Sequence, residues 1–184
     1  MFKFESFTLR PIEEKDKDHI LRWRNSDRVR NNMYNDHIIS QEEHDLWFSS
    51  ALVDKGSVYL VFLHDARPIG FASFTNISAV HKRCYWAFYL GETDVPRGCG
   101  SVMEFFSLDY AFLNLKIRKL CCEVFTFNEG VIRLHEKFGF TQEGQFIGHY
   151  KKNQRYEDVV FLAKFATSWE DERPAFEQRL FGDK

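Results

Sequence analysis

Apolar residues follow two kinds of pattern along this chain, and the first predicts strands. Short runs in which β-branched and aromatic residues dominate are bounded by glycine, proline, asparagine or aspartate. They predict strands at 4–12, 57–63, 68–77, 83–90 and 119–127, with a hairpin turn at "HDAR", and two long strands within 140–165 around a turn at "KKNQ".

The second pattern places apolar residues three or four positions apart, which predicts helices. In the segment 13–26, this spacing predicts that Ile20, Leu21 and Trp23 are buried. Further helices are predicted at 98–114, at 129–138 and, as a short last helix, at 167–176.

One helix start carries a specific capping signal. Ser40, followed three residues later by Glu43, predicts a capping box at the start of a helix that runs to about Leu52. The preceding segment, 31–39, is predicted to be irregular. Strands before and after two central helices, with mixed connections, predict a three-layer α/β or α+β fold. Because no repeat or linker interrupts the pattern, we expect one domain over 1–184.

Composition and charge narrow the function classes. Of the 184 residues, 44% are hydrophobic and 20 are Phe, which is enough for a sizeable core. The net charge is −2 and the basic residues are scattered, which argues against nucleic acid as the main ligand. No apolar run approaches the roughly 20 residues of a membrane-spanning helix, and the start of the chain lacks a signal-peptide pattern. We therefore expect a cytoplasmic protein without a membrane partner.

The four cysteines are also consistent with a cytoplasmic protein. Cys84, Cys99, Cys121 and Cys122 include no C-x-x-C spacing. They are expected to be buried free thiols in a reducing compartment. Neither a disulfide framework nor a metal site is predicted.

A glycine-rich turn opens the predicted helix at 98–114, in the stretch "DVPRGCGSVMEFFSLDYAF". It lacks the G-K-[ST] ending of a nucleotide triphosphate loop and the third glycine of a dinucleotide-binding turn. Arg97, Gly98, Gly100 and the first N–H groups of the helix can instead cradle a pyrophosphate. The plain alternative is an ordinary helix start in which the glycines only turn the chain.

Three segments together resemble the GNAT family of N-acetyltransferases. They are the R-x-x-G turn at 97–100, the segment "NEGVIRLHEKFGFTQEG" at 128–144 and the strand "AFYL" at 87–90. The resemblance implies a mixed, twisted seven-stranded sheet flanked by helices, with splayed fourth and fifth strands, and acetyl-CoA as co-substrate. It implies cofactor contacts from Phe88, Tyr89, Leu90, Arg97, Gly98, Cys99, Gly100, Ser101, Val102, Asn128, Arg133 and His135. Val102 departs from the family pattern, which has glycine or alanine there.

The amino-terminal half resembles one branch of that family, through "LRWRN", "MYNDHIISQEEHDLWF" and "SFTNISAVHKRCYWAFYL". That branch acetylates the 4-amino group of UDP-4-amino-4,6-dideoxy-N-acetyl-β-L-altrosamine in pseudaminic acid biosynthesis, which serves flagellin glycosylation. The resemblance implies substrate contacts from Arg24, His44, Thr75, Asn76 and Tyr89, and it leaves room for a homodimer. Two alternatives stay open: the same chemistry on a protein N-terminus or a polyamine, and a catalytically silent acyl-CoA-binding module.

The implied reaction is direct attack of a neutral amine on the thioester. Glu123, a carboxylate in the apolar run "LCCEVF", is the candidate base, either directly or through a water that it orders. His135 stands where the family usually has a tyrosine acid, and a protonated imidazole can also donate to a thiolate. A backbone N–H near 88–90 would polarise the carbonyl, Tyr89 could orient the substrate or donate a proton, and Ser73 could hold a water. Each residue also has a plain structural interpretation as a packed or solvated side chain.

Overall fold

The computed structural model describes residues 2–152 and 154–182, and its strands form one mixed sheet. The order is β1-β2-β3-β4-β5-β7-β6, and every neighbouring pair is antiparallel except β4 and β5. The predicted mixed seven-stranded sheet is therefore confirmed. The strands are β1 Phe7–Pro11, β2 Val58–His64, β3 Arg67–Ser78, β4 Arg83–Leu90, β5 Lys119–Phe125, β6 Thr141–Lys152 and β7 Arg155–Phe165.

Helices cover both faces of this sheet. The first strand begins later than predicted because Phe4–Ser6 form a 3-10 turn. The last helix extends past the predicted end because Leu180 and Phe181 still pack on the core. The helices are α1 Lys17–Asn25, α2 Asp27–Arg30, α3 Gln41–Val53, α4 Cys99–Asp109, α5 Glu129–Lys137 and α6 Ala166–Phe181, and α4 continues as a π-helical turn over Tyr110–Asn114.

The first helical layer is formed by α1 and α3. Ile20 and Trp23 of α1 and Phe48 of α3 pack on Phe71 of the sheet. Ile20 and Trp23 are buried as predicted, whereas Leu21 is only half-buried, because the side chain of Leu21 lies beside the buried stripe of the helix.

The second helical layer contains α4 and α6. Phe105 and Leu108 of α4 join Trp169 and Phe176 of α6 in the largest buried cluster. Many of the aromatic residues pack in this cluster. For example, the Phe138 ring stacks on the Phe176 ring with a centroid distance of 4.4 Å. The sheet is thus held between two apolar layers, which gives the three-layer fold predicted from the sequence.

Local turn signals agree with the structure in one case and in part in another. Asp65 and Ala66 both have positive φ, 47° and 62°, as a two-residue hairpin turn requires. Ser40 caps α3 by accepting a hydrogen bond from the Glu43 N–H at 3.1 Å. The reciprocal half of the predicted capping box is replaced, because the Glu43 carboxylate bonds His37 Nε2 at 2.8 Å.

All four cysteines are buried free thiols. Within residues 2–152 and 154–182, no three His, Cys, Asp or Glu side chains come together as a metal-ligand set. No helix in the same ranges combines the length and the apolar character needed to cross a membrane.

Gly91 marks a very close approach between the end of β4 and α1, and it makes a stability prediction. A Cβ at this position would lie 2.1 Å from Cδ2 of Trp23, a side chain that is only 2% exposed. We expect Gly91→Ala to lower the free energy of unfolding by about 3 kcal/mol, the upper range for overpacking a core. Thermal unfolding followed by circular dichroism measures the change.

Gly130 provides the matched control, because a Cβ added there meets nothing within 4 Å. We expect Gly130→Ala to be neutral or stabilising, since alanine is the better helix former. Equal melting temperatures for the two variants would contradict the packing argument.

Candidate active site

The parallel strands β4 and β5 separate soon after they begin. They pair only from Arg83 with Lys119 to Tyr85 with Cys121, although β4 continues to Leu90. In the described chain, the edge of β4 that faces β5 therefore has no strand partner from Trp86 onward. The predicted splay is confirmed, and it leaves backbone N–H and C=O groups free to pair with an extended ligand.

A cavity of about 410 Å³, here named the cleft cavity, fills the gap between the two strands. β5 contributes Cys122 and Glu123 to its wall. From the set predicted to bind the cofactor, the lining residues are Phe88, Tyr89, Leu90, Gly100, Asn128 and His135. Arg133 is placed outside the cavity, exposed on α5, with Nη1 2.8 Å from Glu129 Oε2.

The start of α4 leaves two backbone donors free. Gly98 precedes the helix with φ +102°, a conformation that favours glycine. The N–H groups of Ser101 and Val102 both donate to the Gly98 carbonyl. For the N–H groups of Gly98 and Gly100, no backbone acceptor is found among the described residues. These two N–H groups are therefore available to an anion, at the positive end of the helix dipole.

The side chains of this turn take different directions. Cys99 and Val102 are buried and pack with Phe62 and Ile69 in the core. Val102 consequently faces away from the free donors, and its departure from the family pattern is accommodated by the core. Arg97 is exposed.

A buried pair of opposite charge lies behind the cleft cavity. His135 Nδ1 is 2.8 Å from Glu104 Oε1, and the two residues are 2% and 0% exposed. Burial disfavours the imidazolium, but Cys122 and Glu104 stabilise it, and together they raise the pKa of His135 to about 10. The sequence indicates His135 through its family motif, but Glu104 lies 31 positions away inside an apolar helix and gives no signal.

Glu123 is bonded to a residue that the sequence analysis did not identify. The Tyr34 hydroxyl donates to Glu123 Oε2 at 2.6 Å, and the Tyr34 ring stacks on Tyr150 with a centroid distance of 3.9 Å. Burial and the neighbouring carboxylate raise the pKa of Tyr34, so its hydroxyl stays a donor at neutral pH. Tyr34 lies in the irregular segment 31–39, where no periodic pattern points to it.

The segment that carries Tyr34 is fastened to β6. The buried Lys152 Nζ donates to the Met33 carbonyl and to Asp36 Oδ2, both at 2.9 Å. Arg24 of α1 bonds the Asn35 carbonyl from the other side. These contacts fix the segment over the open end of the sheet.

A second cavity of about 400 Å³, here named the aromatic cavity, has Trp47, Tyr59, Phe71 and Tyr89 in its walls. Arg24 also lines it, and its Nη1 is buried with no hydrogen-bond partner among the described residues. Burial lowers the pKa of Arg24 from its usual value and raises that of the Tyr89 hydroxyl. The predicted residues Ser73 and Thr75 line the same cavity.

His44 and Glu43 line the aromatic cavity, but both already hydrogen-bond other residues of the protein. His44 is 2% exposed, and its Nε2 is committed to the Lys17 carbonyl at 2.8 Å. The His44 ring therefore contributes an apolar surface to the cavity wall, and its centroid lies 5.4 Å from that of the Trp47 ring. Glu43, the one carboxylate in the described lining, is already bonded to His37.

A third, more open cavity of about 610 Å³, here named the polar cavity, is lined by Thr75, Asn76, Arg83, Tyr85 and Glu123, among others. Ala87 of β4 lines all three cavities. Strand β4 is therefore a common wall, and the cleft, aromatic and polar cavities meet around its middle. This arrangement allows a ligand in the cleft to present a group to a second ligand in the other two cavities.

The match to known proteins agrees with this architecture. Residues 9–161 match the family model described as acetyltransferase (GNAT) domain. The chain belongs to the GNAT acetyltransferase family. It is an N-acetyltransferase that uses acetyl-CoA, and the predicted fold, enzyme class and co-substrate are confirmed.

Two relatives of this GNAT acetyltransferase carry different names, of which the second states an acceptor. The acetyltransferase PseH of Campylobacter jejuni subsp. jejuni serotype O:23/36 is 28% identical over 141 residues, 77% of this chain and 85% of that protein. The spermidine N(1)-acetyltransferase of Vibrio cholerae serotype O1 is 24% identical over 154 residues, 83% and 88% of the two chains.

Among solved structures, the spermidine N-acetyltransferase from Vibrio cholerae in complex with CoA and spermine superposes with a TM-score of 0.85. It is 21% identical, and the match covers 90% of this chain and 99% of that one. At this identity the likeness concerns the fold.

The residues of this acetyltransferase fit acetyl-CoA as co-substrate. The unpaired edge of β4 can hydrogen-bond an extended pantetheine arm. The free N–H groups of Gly98 and Gly100 can take a pyrophosphate. Gly100 and Leu134 both line the cleft cavity, and a Cβ at Gly100 would lie 3.7 Å from Leu134 Cδ2. A side chain larger than alanine at position 100 would therefore narrow the cavity beside the start of α4.

Proposed function

We propose that this acetyltransferase acetylates the 4-amino group of UDP-4-amino-4,6-dideoxy-N-acetyl-β-L-altrosamine in pseudaminic acid biosynthesis, for surface glycans such as glycosylated flagellin. The observation that carries the proposal is the Arg24 guanidinium at the aromatic cavity, whose buried Nη1 has no hydrogen-bond partner among residues 2–152 and 154–182. A buried guanidinium N–H is stabilised by an acceptor oxygen, and a phosphate group can accept two hydrogen bonds from one guanidinium.

The remaining walls support the same class of acceptor. Trp47, Tyr59 and Phe71 offer flat apolar faces to a base or a sugar ring. Arg83 and Asn76 of the adjoining polar cavity offer a second cation and an amide. The combination suits an elongated acceptor that has a ring, an anion and an amine.

A polyamine is the second candidate, and the spermidine acetyltransferases among the relatives favour it. A polycation is best held by several carboxylates. The aromatic cavity offers Glu43, which is bonded to His37, and the polar cavity offers Glu123, which is bonded to Tyr34. The distribution of charge therefore supports the sugar nucleotide.

We assign catalytic roles on the same basis. Glu123 lines both the cleft and the polar cavity, so it can take the proton of an ammonium group that is presented near Ala87. A backbone N–H of 88–90 would polarise the carbonyl, and His135 would protonate the departing thiolate. Ser73 and Tyr89 lie along the acceptor side, where Ser73 can hold a water and Tyr89 can orient the sugar.

The co-substrate contacts follow from the fit described above. Phe88, Tyr89 and Leu90 would bond the pantetheine arm, and Asn128 lies where that arm passes α5. Arg97 and the Gly98 and Gly100 N–H groups would hold the pyrophosphate. A cytoplasmic location and a homodimer stay predictions.

Acetyl transfer to a panel of amines tests the proposed acceptor. We expect release of the free coenzyme A thiol with the UDP-amino-sugar, and at least about 100-fold lower kcat/KM with spermidine and with peptide N-termini, because a polyamine offers Arg24 no acceptor oxygen and a peptide offers it no diphosphate. Thiol release is followed with a chromogenic disulfide, and the product is identified by mass spectrometry.

The other outcomes of the panel are equally decisive. Faster transfer to spermidine or to a peptide than to the sugar nucleotide would overturn the proposal. Acetyl-CoA binding by calorimetry without transfer to any amine would favour a silent acyl-CoA-binding module.

A further inference from the structure

Helix α4 carries a buried carboxylate, that of Glu104. The carboxylate lies in the core, fully inaccessible to solvent, and its Oε2 has no hydrogen-bond partner among the described residues. Its other oxygen, Oε1, lies 2.8 Å from His135 Nδ1. A lone buried carboxylate costs several kcal/mol, so this site favours a cation beside it.

The His135 ring is surrounded by α4, β4, β5 and the residue Phe140 that follows α5. Helix α4 presents Glu104, and β5 presents the Cys122 thiol. The other neighbours are aromatic: Trp86 and Phe88 from β4 and Phe140 after α5, with centroid distances between 4.9 and 5.7 Å. The pair is thus enclosed by rings on most sides and reaches the cleft cavity through the imidazole.

We propose that Glu104 is a positioning residue, which holds the imidazole of His135 as a cation and directs its Nε2–H at the sulfur of coenzyme A. Nδ1 donates to Glu104, so Nε2 is the nitrogen left to serve the cleft cavity, whose wall also contains the Cys122 thiol. The inference rests on the acid role proposed above for His135 and is independent of which amine is the acceptor.

The proton balance of the step is complete. The amine nitrogen forms a bond to the carbonyl carbon, the carbon–sulfur bond breaks, and its electron pair goes to sulfur. The Nε2 proton of His135 moves to that sulfur, while the excess proton of the amine leaves through Glu123. The neutral imidazole keeps its Nδ1–H on Glu104, which fixes the tautomer that accepts a new proton at Nε2.

A titration of His135 by nuclear magnetic resonance tests the proposal without any acceptor. The chain has seven histidines, and the His135 ring signal is assigned by its loss in His135→Gln. We expect the wild-type ring to stay charged through neutral pH and to titrate near the raised pKa of about 10. In Glu104→Gln we expect it to titrate near the ordinary value of about 6.5, because the Glu104 charge is gone while burial and Cys122 still act in opposite directions.

Single-turnover acetyl transfer gives the second readout, with any amine that the wild type accepts. Relative to wild type, we expect Glu104→Gln to be about 30-fold slower at pH 8 but less than about twofold slower at pH 6, following the protonated fraction of an imidazole with an ordinary pKa. Acetyl-CoA affinity should be unchanged.

Glu172→Gln is the matched control. Like Glu104→Gln, it removes the carboxylate that pairs with a buried side chain, because Glu172 Oε2 lies 2.7 Å from Lys164 Nζ. Glu172 lies on α6 and does not line the cleft cavity. We expect no pH-dependent loss of rate in this variant.

Three results would overturn the inference: a neutral His135 in the wild type at pH 7, the same titration in Glu104→Gln, or a loss of rate that is equal at pH 6 and pH 8. Should Glu104→Gln fail to fold, the wild-type titration alone still decides. If the sugar nucleotide is not a substrate, the proposed acceptor fails while the titration stands.

Discussion

Glu123→Gln is expected to slow acetyl transfer by about 100-fold at pH 7 and to leave acetyl-CoA affinity unchanged. Positioned general bases contribute on the order of 10²–10⁴ in rate. Glutamine keeps the size of the side chain and can still accept from Tyr34, but it cannot take a proton. The defect should shrink as the pH approaches the pKa of the acceptor amine, because the free amine then needs no base.

Initial rates between pH 6 and pH 10, together with acetyl-CoA binding by calorimetry, measure this effect. Glu143→Gln is the control, a half-exposed glutamate on β6 that pairs with Lys119 and lines none of the three cavities. Unchanged turnover in Glu123→Gln would remove Glu123 from the mechanism.

Tyr34→Phe separates the base from the residue that holds it. The variant keeps the ring that stacks on Tyr150 and removes the hydroxyl that donates to Glu123. Loss of one hydrogen bond to a charged group is worth about 1.5–3 kcal/mol, so the fall in rate should stay at or below that of Glu123→Gln. A larger fall would show that Tyr34 does more in the reaction than hold Glu123.

Arg24→Met is expected to raise the KM for the UDP-amino-sugar by about 30-fold and to leave the KM for spermidine unchanged. Methionine keeps the apolar bulk of the side chain but removes the charged donor, which is worth about 2 kcal/mol against a phosphate oxygen. A polyamine has no group that needs this cation, so acceptor preference should shift toward it.

The control for this prediction is Arg22→Met. Arg22 lies on the same helix α1 and pairs with Glu92, outside all three cavities. Because Arg24 also bonds the Asn35 carbonyl, melting temperatures are compared in parallel. An equal rise in KM for both acceptors would show that Arg24 acts by holding the segment 31–39, and not by binding the acceptor.

The sequence predicts most of the elements because their signals are local. Alternation in "SVYLVFL" and "PIGFASFTNI" and the turn between them predict β2, β3 and their hairpin. Gly98 predicts the start of α4, since a positive φ there favours glycine. Element ends are less accurate: α6 continues beyond 176 because Leu180 and Phe181 gain burial from the tertiary fold.

The family motifs extended this local information to parts of the site. The resemblance of "AFYL" and "NEGVIRLHEKFGF" predicted the splay of β4 and β5 and indicated His135, whereas Glu123 was indicated by its place as a carboxylate in the apolar run "LCCEVF". The roles of these two residues stay predictions.

Most strands and helices, the glycine turn and the family resemblance follow from the sequence alone, because each depends on short spacing or on a motif within one segment; the short helix α2 does not. Only the tertiary structure decided the partners: Tyr34 for Glu123 across 89 positions, and Glu104 for His135 across 31. The fold also places the His44 Nε2 against a backbone carbonyl, whereas Arg24 Nη1 has no hydrogen-bond partner in the described part of the chain. Such pairings depend on how the chain path brings distant side chains into one low-dielectric space, and no local period encodes that path.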